Sequence, residues 1–301
     1  MIPDEASLAI AASIAVATKA PFELLDVEPV AGGSRQTALK LAGRTRAART
    51  QFFAKVGEAD LEPQFAAEAQ GLLALRQAGA VRVPGVVAQG KDSERAWIAL
   101  SWHELQPLDA VSGALLGAAL AAQHRVRQAR FGWASDNFIG ASVQRNGWRD
   151  DWLAFWIERR LVAQLRLAAG NRLPSRLIDR GERLAADCAA FFGSHFPVPS
   201  LLHGDLWSGN ARAGADGVPI AFDPAVYVGD READLAMTEL FGGFPPDFHS
   251  AYRAAWALDD GYRVRRDFYN VYHRLNHANL FFGDHVRSSE HAIERLLAEI
   301  R

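Results

Sequence analysis

At Pro107 the spacing of apolar residues changes, and that change restricts the possible folds more than any other feature of the chain. Before it, between Leu24 and Gly57, the segments VEPVAGG, TALKLAG and TQFFAKVG are strand-like and separated by Gly and polar residues. VRVPGVVAQG and AWIALSW, on either side of the polar turn at Lys91 to Arg95, read as two further strands. Between these groups, Phe65, Leu72, Leu73 and Leu75 recur at helical spacing over Leu61 to Ala78, and Gly79 follows as a C-cap. After Pro107 long helices dominate, among them Ala110 to Gln123 and Trp152 to Ala169. The pattern predicts an α+β chain with a sheet-rich N-lobe, residues 1–104, and a mainly helical C-lobe, residues 105–301. The connector falls around His103 to Pro107, and a cleft between two lobes is a favoured place for a ligand.

Composition narrows the ligand. With 301 residues, 49% of them hydrophobic, the chain can bury a sizeable core, and at about 150 residues per domain it holds one or two domains. A net charge of -2, with no run of five Lys or Arg, leaves no electrostatic footprint for nucleic acid or an anionic membrane. A small ligand is therefore expected, with no obligate protein partner. The single cysteine, Cys188, excludes an intrachain disulfide and any multi-cysteine metal site. Ser7 to Thr18 is apolar, but Asp4 and Glu5 precede it where a signal peptide carries basic residues. It is also too short to span a bilayer, and reads as a packed helix of a cytoplasmic protein.

The segment LLHGDLWSGN at 201–210, followed by ARAGADGVPIAFDPA, concentrates polar residues of one chemical kind. Asp216-Gly217 is a two-residue hairpin signal. With that turn, Ala215 faces Val218, and counting outward sets Asn210 opposite Asp223. An amide oxygen and a carboxylate so placed suit magnesium, which takes oxygen ligands and keeps several waters. Asp205 lies in the loop just before the hairpin. An Asp, an Asn five residues later and a second Asp beyond a short hairpin is the order used in kinases, where a base orients the attacking hydroxyl and metal neutralises phosphate charge. The plainer alternative is a set of turn-forming polar residues.

A second pair supports phosphate chemistry. Glu68 sits three residues after Phe65 and four before Leu72, on the apolar stripe of its helix, so its carboxylate needs a partner. Lys55, near the end of the preceding strand, is the natural one, and such a strand Lys and helix Glu position nucleotide phosphates in kinases. A half-exposed salt bridge is the competing reading. Gly32 and Gly33 would let backbone amides approach phosphate, although a Gly-Gly pair is more often a turn. His273 and His277 lie four apart on one helix face, but no carboxylate set accompanies them, which favours packing or substrate contact over metal. Trp207 is a candidate for stacking on a sugar face.

With these segments in view, the sequence resembles the fructosamine kinase (ketosamine-3-kinase) family of the aminoglycoside-phosphotransferase-like group. HGDLWSGN at 203–210 and DPAVYVGDREADLAM at 223–237 carry the resemblance most specifically, and FGWASDNFIG, QRNGW and YNVYHRLNHANLFFG extend it over nearly the whole chain. The resemblance implies a two-lobed, protein-kinase-like fold and ATP and Mg2+ as cofactors. It implies Asp205 as base, Asn210 and Asp223 as metal ligands, Lys55, Glu68, Gly32 and Gly33 at the nucleotide, and Trp207 at the substrate, with His277 a further candidate there. The implied reaction is phosphorylation of the 3-hydroxyl of a small-molecule or protein-bound ketoamine in deglycation, with ribulosamines or erythrulosamines preferred. Two departures stand out: Ser101 occupies the connector position where the family often has Glu, and Ser34 replaces a Cys that serves redox control in some relatives. Competing readings are a kinase of an aminoglycoside, choline or homoserine, a pseudokinase, and a metal-dependent hydrolase using His203, Asp205 and the later histidines.

Overall fold

In the computed structural model, which describes residues 4–30, 36–46 and 48–300, the chain divides into two units. One comprises Met1–Gln106 and Ala213–Phe222, the other Pro107–Arg212 and Asp223–Arg301.

The first unit opens with α1 (Glu5–Thr18), whose N-cap Asp4 accepts a hydrogen bond from the Ser7 amide at 2.9 Å. Strands β1 (Glu23–Val30), β2 (Thr37–Arg44) and β3 (Arg49–Glu58) follow, then α2 (Glu62–Ala78), β4 (Val86–Lys91) and β5 (Arg95–Ser101). They form an antiparallel five-stranded sheet in the order β1-β2-β3-β5-β4. Because side chains alternate along a strand, Phe52, Ala54 and Val56 of β3 enter one core with Leu41, Trp97 and the α1 residues Ile10 and Ile14. Lys55 points to the opposite face. In α2, Phe65, Ala69, Leu72 and Leu75 are buried and Gly79 ends the helix at φ 75°, whereas Leu73, counted in the apolar stripe, is 45% exposed. VRVPGVVAQG forms a strand only from Val86, and Arg82 instead makes an isolated parallel bridge to Ile220. Pro84, between them, has no amide to offer a ladder.

The same unit takes in a hairpin from much later in the chain. Strands β10 (Ala211–Gly214) and β11 (Pro219–Ala221) join β6 (Leu105–Gln106) in a three-stranded sheet. The turn between them differs from the two-residue expectation. The Gly217 amide donates to the Gly214 carbonyl and the Gly214 amide to the Val218 carbonyl, both at 2.9 Å, so Gly214 rather than Ala215 faces Val218. Gly217, at φ 75°, supplies the left-handed residue that a three-residue loop needs to rejoin its ladder. Asp216 fixes the turn by accepting from the Val218 amide at 3.1 Å and from Arg82 at 2.7 Å. The register count is thereby displaced by one residue.

The second unit is mainly helical. Its helices are α3 (Ala110–His124), α4 (Trp152–Trp156), α5 (Val162–Gly170), α6 (Ser175–Asp187), α7 (Arg231–Leu240), α8 (Pro246–Ala255), α9 (Tyr262–Phe281) and α10 (Asp284–Glu299). A hairpin of β7 (Asn137–Ile139) and β8 (Ser142–Gln144) and a ladder of β9 (Ser200–Leu202) with β12 (Tyr227–Gly229) complete it. The helix expected over Trp152 to Ala169 is interrupted by a π-helical turn, Ile157–Leu161. Trp156, Phe155, Leu165, Phe268, Tyr269 and Leu275 lie at the heart of its core. No helix among the described residues is long and apolar enough to cross a membrane.

Candidate active site

The β9–β12 ladder pairs Leu202 with Tyr227 and ends where two polar loops begin, His203 to Asn210 after β9 and Asp223 to Val226 before β12. The first loop is held by its backbone. The Asp234 carboxylate, in α7, accepts from the amides of His203 at 2.7 Å and Gly204 at 2.8 Å, and the His203 carbonyl accepts from the Ala225 amide at 2.9 Å. Gly204 is required here: its φ is 82°, and a Cβ would lie 2.0 Å from the Ala225 carbonyl oxygen. The two loops that flank the β10–β11 hairpin are thus locked together around Asp205.

Asp205 is half-buried, and Asn210 holds it from within its own loop. Asn210 Nδ2 donates to the Asp205 carbonyl at 2.9 Å and to its carboxylate at 3.3 Å, and lies 3.5 Å from the Asp223 carbonyl oxygen. With Nδ2 so directed, Oδ1 is the Asn210 atom that a cation would take. Asp223 adopts φ 56°, a left-handed conformation costly for a side-chain-bearing residue and concentrated at functional sites. Burial, then the charge of Asp223, pushes the Asp205 carboxyl up to about 7, opposed by the Asn210 hydrogen bond and helped by Asp234. The nearby donor set is amide and carboxylate oxygen, the kind a hard divalent cation prefers, and a cation there would relieve the repulsion between the two carboxylates. The arrangement can therefore offer a proton acceptor beside a site for such a cation.

In the sheet-rich unit, Lys55 stands in the middle of the sheet, paired across to Ala38 and Ile98, with its side chain on the face away from the α1 core. Its ammonium donates to both carboxylate oxygens of Glu68 at 2.8 Å. Lys55 is buried and the Glu68 side chain is 12% exposed, so this is not a solvated surface pair.

The fructosamine kinase family model matches residues 6–299. The chain belongs to the fructosamine kinase family. It is 38% identical over 293 residues to a probable ketoamine kinase of Synechocystis sp., covering 96% of each protein. A crystal structure of a candidate fructosamine-3-kinase from Haemophilus somnus 129PT superposes with a TM-score of 0.85 at 25% identity, over 96% of both chains. The aminoglycoside phosphotransferase APH(4)-Ia shares the fold at a TM-score of 0.60 and 13% identity, over 92% of this chain and 95% of that one. A member of the fructosamine kinase family with this architecture is a phosphotransferase of the two-lobed, protein-kinase-like fold.

Within this fructosamine kinase family member, Asp205, Asn210 and Asp223 come together, and Lys55 meets Glu68 as their spacing predicts. Asn210 and Asp223 approach through the clasp of the two loops and not by the two-residue hairpin count. Gly32, Gly33 and Ser34 lie outside the described residues. Ser101 accepts from the Gly85 amide at 2.8 Å and lies 3.0 Å from His103 Nε2. Trp207 is 39% exposed, two residues beyond Asp205, and His277 is half-buried against Phe241. Burial pushes His273 down to about 3, leaving it neutral.

Sequence reasoning missed the support of the loop. Asp234 also meets His124 Nε2 at 3.2 Å, and His124 Nδ1 meets the Tyr252 hydroxyl at 2.8 Å. The signal available was DREADLAM itself, where Asp234 is an acid amid the buried residues of a helix.

Proposed function

We propose that the protein transfers the terminal phosphoryl group of ATP to the 3-hydroxyl of a sugar-derived ketoamine. The observation that carries this reading is the seating of Asp205. Anchored by Asn210 at 3.3 Å in the loop that Asp234 clasps, its carboxylate is placed to accept a hydroxyl proton. In this role Asp205 orients and deprotonates the acceptor hydroxyl as its oxygen attacks the terminal phosphorus of ATP and the bond to ADP breaks. Asn210 and Asp223 would hold Mg2+, which when bound neutralises charge on the phosphates. Lys55, steadied by Glu68, supplies a positive charge to the phosphates, and Gly32 and Gly33 supply backbone amides. Trp207 and His277 line the acceptor side. Such an enzyme would work in the cytoplasm, where its nucleotide is made.

Family membership and the likeness to the Synechocystis probable ketoamine kinase support a ketoamine as acceptor. The test is phosphoryl transfer from ATP with Mg2+ to ribulosamine, erythrulosamine and fructosamine derivatives, with an aminoglycoside and choline alongside. We expect ketoamine phosphates substituted at O3, identified by NMR, with the two shorter sugars favoured in kcat/KM. Turnover of the aminoglycoside or choline without any ketoamine product would replace the acceptor and leave phosphoryl transfer standing.

A further inference from the structure

We infer that the exposed aromatic rings running from Trp207 to the C-terminal end of α9 bind the group carried on the ketoamine nitrogen, so that the enzyme selects its substrate by the amine as well as by the sugar. The inference rests on the ketoamine reading above. Trp207 meets Phe241 edge-on, with ring centroids 6.1 Å apart, and Phe241 stacks on His277 at 5.4 Å and 24° between planes. His277 in turn lies 5.6 Å from both Phe281 and His285, which are themselves 5.6 Å apart. Trp207, Phe241 and Phe281 are 39%, 51% and 62% exposed. Surface apolar residues are ordinarily scattered singly, and a continuous row of large exposed rings marks a binding surface.

The row has a local cause. His277 and Phe281 stand four residues apart on α9 and so share a face. The chain then reverses through Phe282, at φ 58°, and Gly283, and returns His285 to that face in the first turn of α10. His277 is held below its ordinary pKa by burial and by His285 and Arg274, so it presents a neutral ring.

Bond counting selects the occupant. In a ketoamine the nitrogen is on C1 and the acceptor hydroxyl on C3, so the amine substituent begins only a few bonds from the oxygen that Asp205 addresses. The remaining sugar carbons leave C3 in the other direction and carry hydroxyls, which need hydrogen-bonding groups. A succession of aromatic faces instead suits an apolar, and best an aryl, group. Trp207 would cover the carbons nearest the reacting hydroxyl, and Phe241, His277 and Phe281 the amine-borne group beyond.

The test compares kcat/KM for N-benzyl and N-methyl ketoamines of one sugar. Wild type should favour the benzyl compound by about tenfold or more. Phe281→Ala, at an exposed position, should bring the ratio close to one through KM, and Phe281→Tyr, which keeps a ring, should retain it. A wild-type ratio near one, or a ratio unchanged in Phe281→Ala, would overturn the inference. Turnover of the N-methyl compound tests the ketoamine reading separately: with turnover and a ratio near one, only the aromatic row falls. If neither ketoamine is phosphorylated while another alcohol is, both fall.

Discussion

Asp205 and Asp223 divide the work that the proposed reaction asks of carboxylates, and their surroundings separate them. Asp205→Asn removes the proposed base but keeps the size and a hydrogen-bonding group, so kcat should fall by about 10²–10⁴ while nucleotide affinity stays within about threefold. Steady-state kinetics and a nucleotide titration read the two quantities, and parallel losses would reject the base role. Asp223→Ala removes the carboxylate proposed to hold the cation and should raise the Mg2+ concentration needed for nucleotide binding by about tenfold or more. An unaltered Mg2+ dependence would reject that assignment. Both residues were legible in the sequence because they lie close together in a stretch with few other acids. Asp234 and His124 were not, since 110 residues separate them and only packing makes them partners.

At the scale of elements, the pairing of β3 with α2 through Lys55 and Glu68 has a measurable cost if broken. Glu68→Ala would take from the buried Lys55 ammonium the carboxylate that meets it at 2.8 Å, and we expect a loss of about 3 kcal/mol in urea denaturation. The double variant Lys55→Met, Glu68→Leu should recover most of that stability but not turnover. Recovery of turnover would show that the pair serves the fold alone. The pair could be read from sequence because strand period and helix period each give a side-chain direction. The turn at Ala215 to Gly217 could not. A two-residue loop on Asp216-Gly217 and a three-residue loop with Gly217 left-handed both fit the local residues, and Asp216 meeting Arg82 is a long-range fact.

The whole molecule carries a pH dependence apart from the site. His195 Nε2 meets Asp230, the N-cap of α7, at 2.7 Å, and its other ring nitrogen faces Glu232 and Asp259 at 3.8 and 3.6 Å. Arg265, bound to both of those carboxylates, opposes the imidazolium. Burial also works against the imidazolium, yet the Asp230 hydrogen bond and charge raise the His195 pKa. A raised histidine stabilises the fold fully below its unfolded pKa of about 6.5, and that contribution is lost as pH rises through the folded value. The urea midpoint of wild type should therefore fall more between pH 6 and 8.5 than that of His195→Gln. A steeper fall in the variant would contradict the assignment. By itself the sequence determined the two kinds of lobe and the family, and it singled out the residues proposed to react, because apolar period and short motifs are local properties of the chain. Only the tertiary structure decided the loop clasp through Asp234, the turn register and the aromatic row from Trp207 to Phe281, because each depends on residues far apart in sequence meeting in space.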